Sequence, residues 1–128
     1  MQSQTNNASQ PPRILVMEDD LALVELYSEV LKMEGFVVDG ATTLDQARQL
    51  LDAHHYAVFI CDMNIGNRRS TDLLREVLPH LKETHVVMLS GTGQYQTMVD
   101  EIGVDFFLAK PVDIDALIAL MKRLSANG

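Results

Sequence analysis

Short apolar runs alternate with helically spaced apolar residues five times between Arg13 and Leu124. Ile14-Leu15-Val16-Met17 is apolar without interruption, the pattern of a strand covered on both faces. Leu23, Leu26, Tyr27, Val30 and Met33 then follow helical spacing, and Gly35 supplies the stop. Phe36-Val37-Val38 predicts a short second strand at the sheet edge, running out in Asp39-Gly40. Thr43, with Gln46 three residues on, predicts a capping box opening a helix on Leu44, Ala47, Leu50 and Leu51. Tyr56 to Cys61 is the third predicted strand; a helix on Leu73, Leu74, Val77 and Leu78 follows, ended or kinked by Pro79. Val86 to Leu89 predicts the fourth strand, and Tyr95, Met98, Val99 and Ile102 a short fourth helix closed by Gly103. Phe106 to Ala109 is the fifth strand, and Ile114, Leu117, Ile118, Met121 and Leu124 the fifth helix, capped by Asp113. Five such units predict a doubly wound α/β domain, a parallel sheet with helices on both faces. Residues 1–12, polar and ending in Pro11-Pro12, read as a flexible lead, 13–125 as the domain and 126–128 as a tail.

Composition narrows the classes. The 128 residues suffice for one core, and 47% apolar against 22% charged residues exclude a disordered chain. With 18 acidic and 10 basic side chains the formal charge is −8, which argues against direct nucleic-acid binding, because that needs a basic face. No apolar run reaches the roughly 20 residues of a membrane span, and the first residues lack the pattern of a secretory signal. Cys61 is the single cysteine, so no internal disulfide can form and a reducing cytoplasm is expected.

Ligands of open α/β sheets bind beyond the carboxyl ends of the strands. The first strand ends in Glu18-Asp19-Asp20, the third in Asp62, the fourth in Ser90 and the fifth in Lys110. Each residue has an ordinary reading alone: helix cap for the acidic triplet, turn former for Asp62 and Ser90, surface lysine for Lys110. Four such residues at one rim of one sheet are a coincidence the ordinary readings do not require. Three carboxylates brought together must hold protons or share a cation, and their oxygens suit Mg²⁺ or Mn²⁺. Lys110 and Ser90 would meet phosphoryl oxygens. The chemistry indicated is phosphoryl transfer to a carboxylate nucleophile; Asp62, alone on the central strand, is the candidate, with Glu18 and Asp19 as metal ligands.

The strings Ile14-Leu15-Val16-Met17-Glu18-Asp19-Asp20, Phe59-Ile60-Cys61-Asp62, Val87-Met88-Leu89-Ser90-Gly91 and Phe107-Leu108-Ala109-Lys110-Pro111 resemble the receiver domain of two-component response regulators. The resemblance runs from about Arg13 to Leu124. It implies a flavodoxin-like strand order 2-1-3-4-5 and Asp62 as phosphoacceptor. It implies Mg²⁺ (or Mn²⁺) held by Asp19, Asp62 and the backbone carbonyl of Asn64, with Glu18 acting largely through water. Ser90 and Lys110 would contact the phosphoryl group, Ser90 and Phe107 would form the switch, and the Lys110-Pro111 bond would be cis. Its implied partners are a histidine kinase or phosphotransfer protein and an effector on the face of the fourth helix, fifth strand and fifth helix; a homodimer is an option. Such a receiver catalyses only its own phosphorylation and autodephosphorylation, as a stand-alone module or as part of a longer chain. The loop after Asp62 departs from the family pattern: Gly66 stands for the proline of its Met-Pro pair and Ser70 for a later glycine, and Gly66 is expected to loosen the turn.

Other residues stay in the background. His54-His55 read as solvated, Cys61 as a buried thiol facing away from the rim, the methionines as core filler, and Arg68-Arg69 as a solvated loop. Three rivals share parts of the pattern. A flavin carrier needs a cradle for phosphate where this chain has carboxylates. A Mg²⁺-dependent aspartyl-phosphate phosphatase of the haloacid dehalogenase type needs an acid two residues past Asp62, where Asn64 stands. A non-phosphorylated scaffold needs none of these groups.

Overall fold

The computed structural model describes residues 10–66, 68–91, 104 and 106–126. Five parallel strands form one sheet in the order β2-β1-β3-β4-β5, where β1 is Arg13–Met17, β2 Val37–Ala41, β3 Val58–Asp62, β4 His85–Ser90 and β5 Phe106–Ala109. Helices α1 (Leu21–Met33), α2 (Leu44–Ala53), α3 (Thr71–Val77) and a C-terminal helix (Ile114–Ala126) cover it. Strand alternation splits the core into two layers. Ile14, Val16, Val58, Ile60, Val87 and Leu89 pack with α1 and the C-terminal helix through Tyr27, Leu31, Leu117 and Met121. Leu15, Met17, Phe59, Cys61 and Met88 pack on the opposite face with α2 and α3 through Leu44, Ala47, Leu73 and Leu74. Burial on both faces explains why Ile14–Met17 of β1 and Val58–Cys61 of β3 are apolar without alternation.

The ends of elements follow local chemistry. Thr43 Oγ1 accepts the Gln46 N–H at 3.1 Å, and Gln46 Oε1 reaches back to the Thr42 N–H at 2.8 Å, so the predicted box forms one residue wider than expected. Gly35 closes α1 at φ +97, with the Phe36 N–H bonded to Leu31 O and the Gly35 N–H to Lys32 O, a Schellman end. Pro79 sits in a single 3₁₀ turn, Leu78–His80, directly after α3. Asp113 Oδ1 accepts the Ala116 N–H at 3.2 Å, capping the last helix. Among the described residues no helix is long and apolar enough to cross a membrane.

Three expectations are corrected. Asp39-Gly40 does not terminate β2: both residues pair with β1, opposite Leu15 and Val16. The third strand starts at Val58 rather than Tyr56 and includes Asp62 as its last residue. On α1 the buried face is Val24, Tyr27 and Leu31, while Leu26 and Met33 are exposed, so Met33 fills no core space. A run of apolar residues at several angular positions does not fix which stripe faces the sheet. The predicted helix on Tyr95, Met98, Val99 and Ile102, its stop at Gly103, and residues 1–9 of the lead lie outside the described residues.

Candidate functional site

Because all five strands run in one direction, the residues following them meet at one rim. The acidic triplet after β1 divides its work. Asp20 Oδ1 caps α1 by accepting the Ala22 N–H at 3.0 Å. Glu18 turns inward and is 1% exposed, and Asp19 stays exposed above it. Asp62, at the end of β3, is 2% exposed. Glu18, Asp19 and Asp62 each offer an oxygen within 4.8 Å of the others.

Among the described residues, one cation and three backbone donors reach these acids. Lys110 Nζ lies 2.7 Å from Asp62 Oδ2 and 3.7 Å from Glu18 Oε1. The Asn64 N–H donates to Asp62 Oδ1 at 3.2 Å, the Asp20 N–H to Glu18 Oε2 at 3.2 Å, and the Gly66 N–H to Asp19 Oδ2 at 2.8 Å. Glu18 Oε1 is buried without a hydrogen bond. Burial, then the neighbouring Asp62 and Asp19, push the Glu18 carboxyl up to about 8, against the opposing Asp20 N–H. Asp19 moves the other way, held below the usual carboxylate range by the Gly66 N–H and then by Glu18. Burial would depress Lys110, but the hydrogen bond to Asp62 and the charges of Asp62 and Glu18 outweigh it and hold its ammonium above the ordinary value.

The loop after β3 folds as a two-residue antiparallel ribbon, Asn64–Ile65 against Arg68–Arg69. Its backbone holds two of the three carboxylates through Asn64 and Gly66. Ser70, in the place of the family's glycine, is fully buried and donates to Met63 O at 3.1 Å. Gly66 bonds Asp19 through its N–H, and ribbon pairs flank the turn on either side. Ser90 is fully buried and its hydroxyl donates to Gly91 O at 2.9 Å. Phe107 is half-buried against the layer under α2 and α3. The Lys110–Pro111 bond is cis. His54 and His55 are exposed, and Cys61 is fully buried in the layer under α2 and α3, where burial pushes its thiol up to about 12.

Glu18, Asp19, Asp62, Asn64, Ser90 and Lys110 all reach this rim. The Gly66 N–H is the contributor that side-chain reasoning missed, since a backbone donor leaves no residue-type signature; the glycine in a polar loop was its only trace. An acid triad with a buried oxygen that accepts no hydrogen bond has the donor chemistry to hold a hard divalent cation.

The family described as the response regulator receiver domain matches residues 14–122. Among curated relatives, the transcriptional regulatory protein CpxR of Klebsiella pneumoniae is 33% identical over 114 residues, covering 88% of this chain and 48% of that protein. The cell cycle transcriptional regulator CtrA of Caulobacter vibrioides is 29% identical over 109 residues, covering 84% and 47%. The chain thus spans about half the length of these relatives. The crystal structure of the receiver domain of NtrX from Brucella abortus superposes with a TM-score of 0.79 at 27% identity, covering 90% of this chain and 99% of that one. With nearly the whole chain matched and the sheet order, acid cluster and lysine in place, this chain belongs to the response-regulator receiver domains of two-component systems.

Proposed function

We propose that Asp62 accepts a phosphoryl group from a phosphohistidine of a histidine kinase or phosphotransfer protein, and that the rim uses Mg²⁺ or Mn²⁺ to do so. The observation that carries the reading is the geometry around Asp62. A buried carboxylate lies 2.7 Å from a lysine ammonium and within a cluster whose Glu18 Oε1 has no hydrogen bond. Asp19, Asp62, Glu18 and the backbone carbonyl of Asn64 would hold the ion. When bound, it supplies the positive charge that lets clustered carboxylates accept a further anion.

The remaining steps belong to the chain's own residues. A carboxylate oxygen of Asp62 attacks phosphorus, the P–N bond breaks, and its electrons return to the departing imidazole of the donor. Lys110 exchanges its bond to Asp62 Oδ2 for one to a phosphoryl oxygen. Ser90 gives up the Gly91 carbonyl and donates to the same group, and Phe107 turns into the space behind it. The new group adds roughly −1.5 to −2 charges at one point if it resembles a phosphoester, and this biases an existing two-state equilibrium. The responding face would include β5 and the C-terminal helix. The predicted fourth helix, its third element, lies outside the described residues. Asn64, with its side-chain amide, offers no general acid for a phosphatase.

The test uses a small-molecule phosphodonor with Mg²⁺ and mass spectrometry of digested protein. One phosphoryl group on Asp62, absent in Asp62→Asn and in chelator, is expected. Modification elsewhere, or none in the folded wild type, overturns the proposal.

A further inference from the structure

We infer that Gly66 is a positioning residue: its N–H orients Asp19 for the divalent ion, a task the family's proline cannot perform at this place. The inference rests on the ion reading above. Gly66 sits at φ +63, in the left-handed region, and its N–H meets Asp19 Oδ2 at 2.8 Å across 47 residues of chain. Proline fixes φ near −65° and carries no N–H, so neither feature survives it. The bond therefore exists because this loop departs from the family pattern.

Its chemistry suits a ligand's outer partner. Asp19 is the exposed member of the triad and has no lysine within bonding distance, unlike Asp62. Left alone, an exposed side chain samples several rotamers, and collecting them into one on ion binding costs entropy. The Gly66 N–H occupies Oδ2 and leaves Oδ1 able to coordinate. The same ribbon holds Asp62 Oδ1 through the Asn64 N–H, so one short piece of backbone sets the relation between the carboxylate that ends β3 and one that follows β1. Removing such an outer-shell partner typically weakens metal affinity 10- to 100-fold, and exposure of Asp19 places the effect near the lower bound.

Room for substitution makes the idea testable, because a Cβ at Gly66 meets nothing within 4 Å. Gly66→Asn keeps the N–H and tolerates positive φ; Gly66→Pro loses both. Calorimetric titration with Mn²⁺ or Mg²⁺ should show Gly66→Asn close to wild type and Gly66→Pro weaker by about tenfold, with circular dichroism confirming that both fold. In metal-free protein, the Gly66 amide should be protected from hydrogen exchange, and the protection should vanish in Asp19→Ala. Equal affinities of the wild type and a folded Gly66→Pro overturn the inference, as does an unprotected Gly66 amide. A wild type that binds no divalent ion, while its Gly66 amide is protected, overturns the ion reading and with it the role given to Gly66. That result is distinct from the previous two.

Discussion

Two carboxylates, Asp39 within the sheet and Glu18 just past the end of β1, meet opposite fates. Asp39 lies within β2, where Arg13 Nη1 and the Tyr56 hydroxyl both reach its Oδ2 at 2.7 Å. Burial pushes its pKa up, but Tyr56 and Arg13 outweigh burial and bring it below the ordinary value. Glu18 is more deeply buried and one of its oxygens has no hydrogen bond, so burial prevails and its carboxyl rises to about 8. Asp39, partly exposed and with two donors on one oxygen, ties the edge strand to its neighbours. Burying an acid with few donors costs free energy, and such groups are enriched at binding sites.

The sharpest way to break this comparison is the pH dependence of stability. Glu18 has a raised folded-state value, so the folded state binds its proton more tightly than the unfolded chain does. Without divalent ion, its contribution is therefore lost as pH rises from about 4.5 to about 8, at up to about 1.4 kcal/mol per unit. Glu18→Gln should unfold at higher denaturant than wild type at pH 8, by a few kcal/mol, with the advantage gone near pH 4. Saturating Mg²⁺ should stabilise wild type more at pH 8 than at pH 6, since ion and proton compete for one carboxyl. A difference that stays flat between pH 4 and 8 would show Glu18 to be as well satisfied as Asp39.

Lys110→Met comes next. It removes the ammonium from two buried acids and should cost about 2 kcal/mol in metal-free buffer, discounted because Lys110 is 34% exposed. Asp39→Asn should cost about 1–2 kcal/mol at pH 7. Its pH dependence has the opposite sign to that of Glu18. Asp39 has a depressed value, so its contribution is present above the ordinary carboxylate pKa and disappears as pH falls through the folded value. Paired urea titrations at pH 3 and pH 7 check both signs.

The two acids also show what could be read from the sequence. The five strands were legible because Ile14–Met17, Phe59–Cys61 and Val86–Leu89 are apolar throughout, and a parallel sheet leaves such runs no other place. The rim was legible because parallel strands deliver their final residues to one end, so Glu18, Asp62, Ser90 and Lys110 converge without any knowledge of loops. In the sequence Asp39 reads as a strand end, because a polar residue followed by glycine signals a turn. Its partners Arg13 and Tyr56 lie 26 and 17 residues away, beyond any local pattern. The face of α1 failed for a related reason: Leu21, Leu26 and Met33 are apolar yet exposed, so local spacing could not choose the stripe. Gly66 was seen only as a departure, since the group that acts there is a backbone N–H.

Tyr56→Phe makes the smallest and most selective change, because it removes one oxygen and leaves the ring in its layer under α2. Asp39 would keep Arg13 at 2.7 Å but lose the hydroxyl that donates to the same oxygen. Its carboxyl should rise toward the ordinary value, observable as an upward shift of its titration by NMR. Stability should fall by about 1 kcal/mol at pH 7, and the loss should shrink as pH falls through the folded-state value of Asp39. The rim should be untouched: divalent-ion affinity and phosphorylation of Asp62 should match wild type, since Tyr56 precedes β3 and Asp62 ends it. A Tyr56→Phe protein that lost ion binding would show the two regions to be coupled through β3. The contrast between the two acids would then describe one network in place of two.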